Sequence, residues 1–150
     1  SWEKIKKQER LDRGEEPSPF TKADTSLPPL NRARKLQNTA SSLGLDLKDL
    51  GTLITTALED LLELQETIKI KRGPEKKIKS GLGELLFSMI NIARKLELDP
   101  ELCLREANTN FSRRCSKYFK IRDDFERKNG TTKEFSPSFT WKSIKAKENG

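Results

Sequence analysis

Between Leu47 and Ile70 the residues Leu50, Leu53, Ile54, Ala57, Leu58, Leu61 and Leu64 recur at steps of three and four, the period of one helix face. The pattern predicts a helix from Leu47 to Ile70 whose polar side carries Glu59, Asp60 and Glu63. The same period returns in Ile78, Leu82, Leu85, Leu86, Met89, Ile90 and Ala93, the expected buried set of a helix from Glu75 to Leu96. Lys71-Arg72-Gly73-Pro74 makes the turn between them. An earlier helix should run from Pro28 to Leu43 and end at Gly44, which suits a left-handed cap. Asp99 and Pro100 read as N-cap and first-turn residue of a fourth helix reaching Lys128, with Leu104, Ala107, Phe111, Cys115, Tyr118 and Phe119 on its inner face. Asn129-Gly130 closes that helix, a polar loop follows through Pro137, and a short helix ends the sequence. Strand-like alternation is hard to find, so the expected class is all-α.

Composition narrows the function without choosing it. At 150 residues the chain has the size of one ordinary domain and can bury a real core. A net charge of +7 favours an anionic partner: nucleotide phosphates, nucleic acid or an acidic protein surface. The sequence has no histidine, which removes histidine general bases and histidine metal ligands. Cys103 and Cys115 lack the spacing of a zinc or redox motif and read as reduced structural thiols. With no run near 18 apolar residues and no charged-then-apolar leader, a soluble cytoplasmic protein without a membrane partner is expected.

The candidate chemistry lies in the acids. Residues three or four apart share a helix face, so Asp60 and Glu63, with Glu59 beside them, can present oxygens to one point. Hard divalent cations such as Mg2+ take oxygen ligands and are held by a few carboxylates plus substrate phosphates. A second helix with acids at the same spacing would complete a cage; here it offers Glu84, while position 81 is glycine. With 35% charged residues in the chain, the same acids also fit a solvated helix face.

A second pattern concerns the chain's organisation. Trp2-x-x-Ile5-Lys6-x-x-Glu9 is echoed by Trp141-x-x-Ile144-Lys145-x-x-Glu148, with the tryptophans 139 positions apart. That separation is about one domain length, as a duplicated module would leave. Residues 13–26, rich in Pro, Ser, Thr and acids, read as a linker.

Taken in order, Gly83-Glu84-Leu85-Leu86-Phe87-Ser88-Met89-Ile90-Asn91-Ile92-Ala93-Arg94, Leu98-Asp99-Pro100-Glu101 and Arg105-Glu106-Ala107-Asn108-Thr109-Asn110-Phe111-Ser112-Arg113-Arg114 closely resemble the MazG family. Upstream, Leu27-Pro28-Pro29-Leu30 and Ala33-Arg34-Lys35-Leu36-Gln37 match its first core helix, so the resemblance covers nearly the whole chain. It implies an all-α nucleoside triphosphate pyrophosphohydrolase fold, a helical bundle completed by homodimerisation. It also implies that residues 1–12 are the tail of a preceding domain and residues 27–150 a MazG-like domain with a C-terminal tail helix.

The family's acidic pattern, Glu-Glu-x-x-Glu followed by Glu-x-x-Asp, places Asp60, Glu63 and Glu84 as metal ligands and Glu59, Glu63 and Glu84 as catalytic carboxylates. The expected ion is Mg2+, with Mn2+ as an alternative. Gly81 stands where a glutamate is expected, Asp60 replaces a glutamate and Glu84 an aspartate, so the site is partly degenerate. Gly83 matches the family pattern and should permit close helix approach, whereas Gly81 has no packing reason in the sequence. By the same resemblance Arg114, Trp141 and Lys145 contact the nucleotide, together with Asn110 in place of a family lysine. The implied reaction splits a nucleoside triphosphate into monophosphate and pyrophosphate. A catalytically weakened homologue kept for dimerisation or nucleotide sensing is the second expectation. A third is a basic nucleic-acid module built on Lys69, Lys71, Arg72, Lys76, Lys77 and Lys79; it is less favoured because no aromatic residues interleave those cations.

Overall fold

The computed structural model describes residues 1–14, 18–20, 26–46, 48–70, 74–130 and 135–149. Six helices follow one another: α1 (Trp2–Asp12), α2 (Pro29–Ser42), α3 (Leu50–Lys69), α4 (Glu75–Lys95), α5 (Pro100–Asn129) and α6 (Pro137–Asn149). Among the described residues there is no strand, so the expected all-α class holds. No helix among them is long and apolar enough to cross a membrane. Contacts divide the chain into two compact units, residues 1–100 and 101–150.

Local chemistry sets the helix ends. α3 begins at Leu50 and not at the expected Leu47, which lies outside the described residues. Asp49 is the reason: its Oδ1 accepts the Thr52 N–H at 2.7 Å, satisfying a donor that the first turn leaves free. That bond holds the Asp49 carboxyl below its ordinary range. α2 ends as Gly44 predicts. With φ at +77°, Gly44 donates its N–H to Ser41 O, and the Leu45 N–H reaches Ala40 O at 2.9 Å. The same reversal closes α4, but there the left-handed residue is Glu97 at φ +58°, with Leu98 N–H on Ala93 O at 2.9 Å. The loop carrying Lys71, Arg72 and Gly73 lies outside the described residues, as do 15–17, 21–25 and 131–134.

In the first unit α3 and α4 form an antiparallel pair, with Leu64 against Gly81, and α2 packs on α4. Leu53, Ala57, Leu64 and Thr67 of α3 and Ala33 and Gln37 of α2 are buried. Gln37 donates Nε2–H to the Phe87 carbonyl at 2.9 Å, fixing α2 on α4. The loop after α2 is tied down by Asp46, which accepts from Arg94 at 2.8 Å and faces Lys95 Nζ at 3.0 Å. These two cations hold the Asp46 carboxyl below its ordinary range, the Arg94 hydrogen bond first.

Much of the expected core is exposed. Ile54, Leu58 and Leu61 of α3, and Leu82, Leu86 and Met89 of α4, face outward, as do Leu104, Phe111 and Phe119 of α5. A helix carrying apolar residues over a wide arc needs neighbours on more than one side. One stripe of α3 and α4 is covered within the unit, and the remainder is not.

The second unit is built by α5 and α6. Phe111 and Trp141 meet at 5.6 Å between ring centroids, Phe135 sits against both Tyr118 and Phe125, and Ile144 is buried. The two copies of the Trp-x-x-Ile-Lys-x-x-Glu repeat therefore differ. In α6 the apolar pair anchors the helix, whereas in α1 Trp2 and Ile5 are 68% and 58% exposed and Lys6 Nζ lies 3.9 Å from the Trp2 ring centre.

Candidate functional site: an acidic cleft and a basic helix pair

Asp60 lies on the inward stripe of α3 with Leu53, Ala57, Leu64 and Thr67, the spacing of three and four that a shared face requires. The facing side of α4 supplies Ser80, Glu84 and Ser88, again at steps of four. Together with Gly83 and Phe87 these side chains line an open cleft of about 570 Å³. Two carboxylates and two hydroxyls are thus brought to one concave surface.

Glu59 and Glu63 are exposed and do not line this cleft. A helix turns about 100° per residue, so Glu59 is directed well away from Asp60. Glu63 is nearer in angle, but the inward position one step on belongs to Leu64. Among the described residues no three acidic or thiol side chains gather closely enough to hold a metal. What remains is a pair, and one or two carboxylates can hold Mg2+ where it keeps most of its waters and shares substrate phosphates.

The two glycines exchange roles relative to expectation. A Cβ placed on Gly81 would meet Leu64 Cδ1 at 3.5 Å, ordinary contact, so Gly81 is the glycine that faces α3. Around Gly83 there is no atom within 4 Å, so close helix approach is not its reason.

The residues expected from the sequence to contact substrate sit on the α5 and α6 pair. Arg114 donates Nε–H to Glu148 Oε2 at 2.5 Å, and Arg113 reaches Glu148 Oε1 at 3.1 Å. Lys117 Nζ stands 3.6 Å from the same Oε1. Trp141 stacks obliquely on Phe111 and, with Cys115, Tyr118, Phe119, Pro137 and Lys142, lines an apolar cavity of about 510 Å³. Lys145 is exposed one turn after Trp141, and Asn110 is half-buried one turn before Arg114. Arg114 of α5 and Trp141 of α6 thus belong to one helix pair.

Sequence reasoning missed Ser80 and Ser88 in the cleft and Glu148 among the basic residues. The serines were findable, since each is four residues from Glu84. Glu148 was visible only as the last position of the repeat. Its carboxyl is held below the ordinary range, by the Arg114 hydrogen bond first and then by Arg113.

The fold and these two sites define a class of all-helical proteins in which a helix pair presents carboxylates to a cleft and a second helix pair presents arginines beside an aromatic wall. The chain is 34% identical over 136 residues to the nucleoside triphosphate pyrophosphohydrolase/pyrophosphatase MazG of Thermotoga maritima, covering 91% of this chain and 49% of that protein. It is 33% identical over 113 residues to the nucleoside triphosphate pyrophosphohydrolase of Escherichia coli strain K12, covering 75% of this chain and 43% of that one, and equally to that of strain O157:H7. No protein-family model matches the chain. The chain spans about half the length of the curated relatives it matches. Over that span it is a homologue of the MazG nucleoside triphosphate pyrophosphohydrolases.

Proposed function

We propose that this chain is a nucleoside triphosphate pyrophosphohydrolase domain with a reduced carboxylate set, acting on soluble nucleotides of the cytoplasm. The observation that carries this reading is the convergence of Asp60 and Glu84 on one cleft in a homologue of such enzymes. Water adds to a phosphorus of the α–β anhydride, the bridging P–O bond breaks, and monophosphate and pyrophosphate leave. Asp60 and Glu84 would hold Mg2+, or Mn2+, which when bound supplies neutralisation of phosphate charge and acidification of water. Ser80 and Ser88 add hydroxyl donors for phosphate oxygens, and with Glu59 and Glu63 outside the cleft the proton of the attacking water falls to Glu84. Arg114 and Lys145 are the cations proposed for the nucleotide, Arg114 through a forked contact to phosphate, with Trp141 as a face for the base and Asn110 as a polar contact.

The exposed apolar side of α3 and α4 supports a homodimer. Leu58 and Leu62 of α3 and Leu86 of α4 are 57%, 60% and 58% exposed, and no large side chain among the described residues is fully buried. A second copy of the same helix pair would cover these side chains.

The test is pyrophosphate release from a panel of nucleoside triphosphates with and without Mg2+. Release that requires Mg2+ and falls at least 100-fold, by the usual order of magnitude for an essential group, in Asp60→Asn and Glu84→Gln supports the reading. Turnover that survives both substitutions refutes it. A second reading, a nucleotide-sensing homologue that has lost catalysis, is favoured by Gly81 and by the absence of a three-carboxylate group among the described residues. Nucleotide binding without pyrophosphate release would establish it.

A further inference from the structure

Glu148 has an unusual surplus of partners. Arg113 approaches its Oε1 through both Nε and Nη2 at 3.1 Å, Arg114 takes Oε2, and Lys117 stands 3.6 Å from Oε1. Three cations thus surround one carboxylate, leaving two positive charges without a counter-charge from it. Lys145 lies three residues before Glu148 on α6, one turn away. An ion pair whose purpose is to fasten α6 to α5 needs a single cation, and the Phe111–Trp141 contact and buried Ile144 already fasten that helix. A cluster with net positive charge, in which Arg113 turns two nitrogens on one oxygen and Arg114 its Nε on the other, is instead suited to a ligand with more charge and more oxygens than a carboxylate.

We propose that Arg113, Arg114 and Lys117 form a polyphosphate cradle and that Glu148 is its resident occupant, displaced from the cradle when a polyphosphate group binds. The inference rests on the nucleotide reading above only for the identity of the anion. Access is open on one side: Arg113 and Lys117 side chains are 47% and 51% exposed, against 20% for Arg114 and 11% for Glu148. The Glu148 carboxyl, held below its ordinary range by the same arginines, keeps its charge at neutral pH and so competes throughout the working range. Entry of a polyphosphate must break the Glu148 contacts, which join only the last turn of α6 to α5. Binding is therefore coupled to release of the end of α6 from α5.

The coupling has a sign that a purely structural ion pair lacks. Glu148→Gln keeps the size and an acceptor oxygen but removes the competing charge. Inorganic pyrophosphate, titrated by calorimetry without divalent ions, should then bind tighter on the order of threefold to tenfold than to the wild type. In the wild type, pyrophosphate should raise hydrogen exchange of the backbone amides at the end of α6. Lys117→Gln, at an exposed position whose loss leaves both arginines in place, should weaken pyrophosphate binding at any salt concentration and reduce its salt dependence. Unchanged or weaker binding by Glu148→Gln, with the variant folded by circular dichroism, overturns the proposal and leaves Glu148 as a staple. If Glu148→Gln does not fold, hydrogen exchange at the end of α6 that does not respond to pyrophosphate overturns it instead. Tighter binding without turnover of any nucleotide would sustain the cradle and sink the pyrophosphohydrolase reading; turnover with an indifferent Glu148→Gln would do the reverse.

Discussion

Replacing Gly81 tests the acidic cleft most directly. The residue lies in the interior of α4, where glycine is less favourable than alanine by about 0.8–1.0 kcal/mol. Its backbone is not in the left-handed region, and an added Cβ would rest against Leu64 Cδ1 at 3.5 Å without displacing it. Gly81→Ala should therefore recover most of the helix preference, raising the melting temperature by about 2–4 °C in a protein of this size. Gly81→Glu has the same Cβ contact but a smaller gain, about 0.5 kcal/mol, because glutamate is the weaker helix former. Its carboxylate also stands three residues before Glu84 on α4, where repulsion offsets a few tenths of that gain, by about the size of helix-face ion effects. Mg2+ should reverse this order: the alanine variant is expected to respond no more than the wild type, whereas the glutamate variant should bind Mg2+ more tightly and gain further in melting temperature. The assay is calorimetric Mg2+ titration beside thermal melts with and without Mg2+, with pyrophosphate release as the functional readout. Equal Mg2+ responses from the alanine and glutamate variants would show that these acids are a solvated surface. A destabilised alanine variant would contradict the packing of Gly81 on Leu64.

Other outcomes follow from the same geometry. Glu97→Gly should stabilise the protein by about 0.5–1 kcal/mol in a denaturant melt, since a side chain at φ +58° strains the α4 cap that glycine relaxes. Asp46→Asn should cost about 1 kcal/mol at neutral pH by removing the charge from the Arg94 and Lys95 contacts. Because the folded carboxyl titrates below its ordinary 3.8, that stabilisation is complete above the ordinary value and is lost as pH falls through the folded one. The melting temperatures of the two proteins should accordingly converge in acid; a constant gap would be the contrary result. Sedimentation at micromolar concentration should find a dimer, and Leu58→Lys with Leu62→Lys should shift it to monomer; a wild-type monomer refutes the covered-face argument.

The sequence by itself determined the elements. Periods of three and four, prolines at first turns and Gly44 at a left-handed cap are local effects, and local effects are written in neighbouring residues. The carboxylates were legible for the same reason, since Asp60, Glu63 and Glu84 carry their spacing with them. Which of them meet was decided by tertiary structure. The pairing of α3 with α4 turns Asp60 inward and leaves Glu59 and Glu63 outside, a choice fixed by Leu53, Ala57 and Leu64 packing as one stripe. It likewise assigned the close approach to Gly81 and not to Gly83, because only the rotation of one helix against the other says which glycine faces a neighbour. Glu97 shows the same limit at a helix end: no propensity selects glutamate for a left-handed position, yet the chain reverses there with Leu98 N–H on Ala93 O. Glu148 completes the contrast, for three cations converge on it from another helix, and the 31 to 35 positions separating them are closed by packing of α6 on α5.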